Sequence, residues 1–245
     1  MNLMLENLNS KKFANAIKTL TATSMGTENM SPFLYSFIKF VRPHRVLEIG
    51  SGLTTIYILA ALKEISELEA KENDGVSPNY NPDFRNKEYY NLKHPKYFLH
   101  SFDSLTHPKT SADNVVKIAD DLGYSSLLKF WNEDYKKLPK LLLKEEQEFD
   151  LIWCDQGSFL DYVYQKNLLL PLLSSRMGSY IIFHSTLSNV HGFAFTSRLK
   201  LEIMQGRLPE FEIISFLEPH KVQQNSCTIL RRATGISDSI YTERP

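Results

Sequence analysis

The chain has 245 residues, 42% of them hydrophobic, enough for one well-cored α/β domain with insertions and marginal for two. Its 28 Lys and Arg balance 28 Asp and Glu, and with no basic run to track phosphates, nucleic acid is not an expected partner. The opening MNLMLENLNSKKFANAIKTL is too broken by Glu, Asn and Lys for a signal peptide, and nowhere do about 18 apolar residues run together, so a cytoplasmic chain without a membrane segment is expected.

Residues 3–20 place Leu3, Leu8, Phe13, Ile17 and Leu20 at mostly helical spacing, and Ser31-Pro32 should cap a second helix, SPFLYSFIKFV. HRVLEIGSGLTT then sets Val46, Leu47 and Ile49 around Glu48, followed by Gly50 and Gly52. This reads as a buried strand, a bare turn where a ligand can lie against the main chain, and a helix to about Leu68. The polar, tyrosine-rich stretch that follows has neither period and is an insertion. KYFLHSFD resumes a strand, SADNVVKIADDLGY a helix ending at Gly123, and LLKFWNED a third strand.

LPKLLLKEEQ is predicted helical, FDLIWCD a strand, DYVYQKNLLLPLLSS a helix despite Pro171, and GSYIIFHST a fifth strand. FEIISFLEPH and QNSCTILRR close as an antiparallel pair. The alternation without hairpin signals implies a doubly wound, mostly parallel sheet with helices on both faces. Residues 1–43 are thus helices packed on a core of 44–232, with an insertion over about 69–96 and a loose tail at 233–245. Cys154 and Cys227 sit in apolar runs and are expected as buried thiols.

Ligands of open parallel sheets bind beyond the carboxyl ends of the strands. Those ends carry Glu48 with Gly50, Ser51 and Gly52, then Asp103, Glu133 with Asp134, Asp155, and His184 with Ser185. A carboxylate after the second strand can accept both hydroxyls of a ribose, and one after the third can accept from an adenine amino group. Each could equally cap the helix that follows it. His184 has two readings as well: a base at a strand end, or a ring bonded to a neighbouring carbonyl.

VLEIGSGLTT, FDLIWCDQGSFLDYV, LLPLLSSRMGSYIIFHST and FLEPHKVQQNSCTILRR, in that order, resemble the class I S-adenosylmethionine-dependent methyltransferases, and among them the small-molecule O-methyltransferase-like branch. The resemblance spans about residues 30 to 232. It implies a seven-stranded Rossmann-like sheet, S-adenosylmethionine as cofactor, and transfer of a methyl group to a hydroxyl or amine of a small molecule, with a homodimer as a possible assembly. Position by position, Glu48, Gly50, Ser51 and Gly52 would hold the methionine moiety, Asp103 the ribose and Asp134 the adenine.

Departures from the pattern also carry information. Asp103 lies 53 residues beyond Gly50, where about 20 is usual, and the insertion supplies the excess. Metal-dependent members of the branch place carboxylate or amide ligands after strands four and five. Here Ser185 follows His184 where an acid would stand, and Ser158 replaces a frequent histidine, so no metal is expected. The base is then His184, with Asp155 and His191 behind it. Two rivals remain open: a nicotinamide-dependent oxidoreductase, weakened by Thr55 at the third glycine's place, and a non-catalytic binding protein that keeps the fold.

Overall fold

The computed structural model describes residues 8–22, 26–73, 97–108, 110–142, 147–155, 162–176 and 178–233. Most of the predicted insertion, its tyrosines Tyr80, Tyr89 and Tyr90, Ser158 and the tail from residue 234 lie outside these. Seven strands form one sheet in the order β3-β2-β1-β4-β5-β7-β6. The strands are β1 (Arg45–Ile49), β2 (Phe98–Asp103), β3 (Leu128–Asn132), β4 (Leu151–Cys154), β5 (Tyr180–His184), β6 (Phe211–Leu217) and β7 (Ser226–Arg232). β2 with β3 and β4 with β5 pair in parallel, whereas β7 runs antiparallel to both β5 and β6. The expected sheet with its antiparallel end is therefore present. The chain divides into two compact units, residues 1–46 with 51–134, and residues 47–50 with 135–245.

In the first unit, α1 (Lys11–Leu20) begins after Ser10, whose hydroxyl accepts the Phe13 amide at 3.1 Å; this cap keeps Leu8 out of the predicted helix. α2 (Met30–Val41) starts before Ser31, which bonds back to the Thr27 carbonyl at 2.7 Å instead of capping, and Pro32 lies in the first turn where no N–H is needed. α3 (Leu53–Asn73) is apolar on most sides because Ile56, Ile58, Leu59 and Leu62 are all fully buried. It runs beyond Leu68, correcting that boundary. Its last turns stay helical because their acids are buried and paired. Arg42 grips Glu72 with two bonds, at 2.9 and 3.2 Å, while Glu69 meets His44 and the Tyr97 hydroxyl. Tyr97 is thus committed to Glu69. A short 3-10 turn leads into α4 (Val115–Asp121), and β3 follows in register, with Phe102 opposite Trp131.

In the second unit, α5 is a single turn (Leu138–Leu141), shorter than predicted because Leu142 turns extended. α6 (Tyr162–Leu169) ends in a 3-10 turn over Leu170–Leu172, since Pro171 has no amide to continue the helix. A further helix, α7 (Val190–Met204), follows β5 and was not foreseen. Gly192 concealed it, being a poor helix former. Here glycine allows close approach: a Cβ would lie 3.1 Å from both the Ser185 carbonyl and the Thr186 Cα. Cys154 and Cys227 are buried free thiols, and burial pushes both thiol pKa values up, Cys227 to about 12. No helix among the described residues is long and apolar enough to cross a membrane.

Gly50 also belongs to this unit. Its φ is +93°, and a Cβ there would lie 2.4 Å from the Asp155 carbonyl oxygen. Gly50→Ala should therefore lower stability by about 2 kcal/mol or more, from left-handed strain and from overpacking against main chain. Urea unfolding of the variant checks this; an unchanged midpoint would show that the turn can relax.

Candidate functional site

In the first unit the site is built around Asp103, the last residue of β2. Its Oδ2 accepts the Ser51 amide at 3.1 Å and its Oδ1 accepts the Leu105 amide at 2.7 Å. Leu105 is held in the left-handed region, at φ +54°, an unusual setting for a bulky residue. The Ser51 and Ser101 hydroxyls pair at 2.5 Å, and the Gly52 amide donates to the Thr55 hydroxyl at 2.9 Å. The glycine turn is thus closed by its own neighbours, and Asp103 organises it before any ligand arrives. One lone pair is left on each Asp103 oxygen, which suits two ribose hydroxyls. Asp134 lies exposed beyond the end of β3.

Gly52 carries a second constraint. A Cβ there would lie 3.3 Å from the Ser111 hydroxyl, which donates to the Leu20 carbonyl at the end of α1 at 3.0 Å. Ser111 therefore ties the first helix to the turn. No sequence pattern marked it. Ser101 was legible in principle, since it lies two residues before Asp103 and so on the same face of its strand.

In the second unit Glu48 is fully buried within β1, and the Asp155 amide donates to the Ile49 carbonyl at 2.8 Å. Asp155 Oδ1 lies 2.8 Å from His184 Nδ1, so the two residues predicted to share the chemistry form a hydrogen-bonded pair. The His184 side chain is 2% exposed and that of Asp155 21%. His184 Nε2 is buried, and with Nδ1 given to Asp155 it is the ring nitrogen left to face the Gln224 backbone. The Trp153 ring lies 5.6 Å from the imidazole, centroid to centroid. His191 sits exposed in the first turn of α7, its amide held by Asn189.

Burial alone would lower the His184 pKa. The Asp155 charge and hydrogen bond, aided by the Gln224 backbone and opposed by Lys221, reverse this and hold it above its ordinary 6.5. The stability gained from protonating His184 is therefore complete below pH 6.5 and lost as pH rises through the raised folded-state value.

Asp155 Oδ1 is engaged by His184, and Ser185 offers only a neutral hydroxyl, paired with Ser188 at 3.2 Å. Among the described residues no group of three His, Cys, Asp or Glu side chains could hold a metal ion. These residues do not fit a divalent cation, which needs several oxygen ligands with charge among them.

No protein-family model matches the sequence, and no curated protein matches it. Solved structures do resemble it. The O-methyltransferase TomG from Streptomyces achromogenes, in complex with S-adenosylmethionine, superposes with a TM-score of 0.58 at 14% identity, over 92% of this chain and 91% of that one. The O-methyltransferase from Bacillus cereus, in complex with S-adenosylhomocysteine, gives 0.57 at 14% identity over 95% and 91%. This is the class I methyltransferase fold. At such identity the likeness is one of architecture, and the chain's own residues must carry the chemistry.

The Asp155 effect can be measured directly. In an NMR titration the His184 ring should change charge above pH 6.5, and in Asp155→Asn below it, because burial and Lys221 then outweigh the Gln224 backbone. Identical midpoints in the two proteins would remove Asp155 as the source of the shift.

Proposed function

We propose that the protein is an S-adenosylmethionine-dependent methyltransferase acting on a hydroxyl, or an amine, of a small molecule. The observation that carries this reading is the closed glycine turn. The Ser51 and Gly52 amides are engaged by Asp103 and Thr55, so they do not present a row of donors to a pyrophosphate. A cofactor without phosphates needs no such donors, and Asp103 still has acceptor capacity for a ribose. The same feature disfavours a nicotinamide dinucleotide. Net charge of zero further favours a small acceptor over nucleic acid.

Glu48, Gly50, Ser51, Gly52, Asp103 and Asp134 are the residues assigned to the cofactor. When bound, S-adenosylmethionine supplies a methyl group already activated on a sulfonium, so the protein has to align the acceptor and remove its proton. His184 is the base. With Nδ1–H donating to Asp155, the neutral ring carries its lone pair on Nε2, the atom that would take the acceptor's proton. Asp155 fixes that tautomer and stabilises the imidazolium formed when the proton arrives. Because the ring must be neutral to act, turnover should rise with pH through a value above 6.5.

Calorimetry with S-adenosylmethionine and with NAD, separately, tests the cofactor assignment; binding of NAD alone would overturn it. Asp103→Ala should weaken S-adenosylmethionine by roughly 1–3 kcal/mol. His184→Ala should lower turnover by ~10²-fold or more with cofactor affinity nearly unchanged. Chelation with EDTA should leave the rate unaltered, whereas loss of activity with EDTA and recovery with magnesium would reject the metal-free reading.

A further inference from the structure

A helix on the outside of a sheet normally buries one face and gives the other to water through charged and polar side chains. α7 buries Gly192, Phe195, Thr196, Leu199 and Glu202. Its opposite face is apolar as well. Val190, Phe193, Leu201 and Met204 recur at helical spacing with Ser197 between them, and they are 74%, 54%, 49% and 83% exposed. The helix is firmly seated: the Asn189 side chain caps it by accepting the His191 and Gly192 amides, at 2.9 and 3.2 Å, and Gly192 lies against the Ser185 carbonyl. An apolar stripe about 20 Å long on a fixed helix marks a surface that meets something other than water.

The charges around the stripe select its partner. Arg198 and Lys200 flank it on either side, His191 lies in the first turn of the helix and Arg207 just beyond its end, all at least partly exposed. From Ser185 to Pro209 the only acid is Glu202, which is buried and bound to Lys166. A second copy of the chain fits poorly. Two such stripes packed about a two-fold axis through Ser197, the middle of the helix, would set Arg198 against the partner's Arg198 with no exposed acid on the helix to separate them. A peptide helix needs a groove, and side chains as exposed as Val190 and Met204 form none. A flat, apolar and anionic surface suits both the stripe and its cations. We propose that α7 docks the protein on a lipid bilayer bearing anionic headgroups: Val190, Phe193, Leu201 and Met204 enter the acyl boundary while Arg198 and Lys200 meet the phosphates. The helix lies on the bilayer and does not span it. This docking goes beyond the proposed methyl transfer and does not rest on it.

Co-sedimentation of the full chain with vesicles tests this. Vesicles of phosphatidylglycerol and phosphatidylcholine in equal parts should hold the protein ~30-fold more tightly than phosphatidylcholine alone, the size expected of two cations near an anionic surface. Arg198→Gln combined with Lys200→Gln should abolish that preference. Phe193→Gln combined with Met204→Gln should weaken binding to the anionic vesicles by ~10-fold or more, because two apolar side chains leave the acyl boundary. All these positions are on the outer side of the helix, so thermal midpoints should stay at the wild-type value. Val190→Thr combined with Leu201→Gln repeats the apolar test on other positions of the stripe, should the first pair disturb folding.

Raising the salt concentration should release the wild-type protein from the anionic vesicles. Equal binding to the two kinds of vesicle, or sedimentation with neither, would overturn the proposal. So would a dimer in sedimentation equilibrium that Phe193→Gln with Met204→Gln disperses, since a second copy would then cover the stripe.

Discussion

The approach of Gly50 to the main chain of Asp155 is the constraint on which the candidate chemistry depends. β1 has to stop and turn while lying against the end of β4, and with 2.4 Å between a notional Cβ and the Asp155 carbonyl only a hydrogen atom fits. The Asp155 amide is fixed by the Ile49 carbonyl, so β1 locates the backbone from which the carboxylate extends. From that fixed backbone the carboxylate reaches His184 Nδ1, and His184 is itself held in register opposite Cys227. The first glycine of the motif would thus be required with no ligand present. It serves the ligand only indirectly, by placing the acid that orients the base.

Ser51, the next residue, belongs to the other compact unit and has its own anchor in Asp103. An acid after the second strand reads from sequence as a ligand contact, and the structure shows that it is a structural acceptor first. The two roles are compatible because a carboxylate has about four acceptor sites and only two are filled by the Ser51 and Leu105 amides. Preorganisation of this kind lowers the cost of binding, since the turn need not be ordered by the ligand.

Strands were legible because their signals are local. RVLEI, LIWC and YIIFH are apolar runs between turn residues, and a buried parallel strand needs little else. Helix ends were less legible, because what decides them is not in the helix. α3 outlasts its apolar stretch only because Arg42, His44 and Tyr97 receive its late acids, and Pro171 converts an expected α-helix to a 3-10 turn. α7 was hidden by a glycine whose purpose is contact with Ser185 and Thr186. At the site, the pairing of Asp155 with His184 was implied by two adjacent strand ends. Ser111 and Gln224 were not, since each acts through a tertiary contact that leaves no periodic trace.

Among the described residues four that are not glycine have positive φ, and three lie near candidate residues of their own unit: Leu105 near Asp103 in the first, and in the second Ser185 beside His184 and Gln224 in the turn whose backbone favours the charged imidazole. Each such setting costs of order 1 kcal/mol or more, and the surroundings must hold it in place. The surroundings here are specific: Asp103 holds the Leu105 amide, the Ser226 carbonyl holds the Ser185 amide, and Asn225 ties the Gln224 turn to Lys221. Leu105 and Ser185 follow the ends of β2 and β5, while Gln224 lies in the turn just before β7 begins. A relaxed residue at any of these positions would let the chain run on. The strain is therefore better understood as the cost of ending and starting strands at fixed places than as a defect of packing.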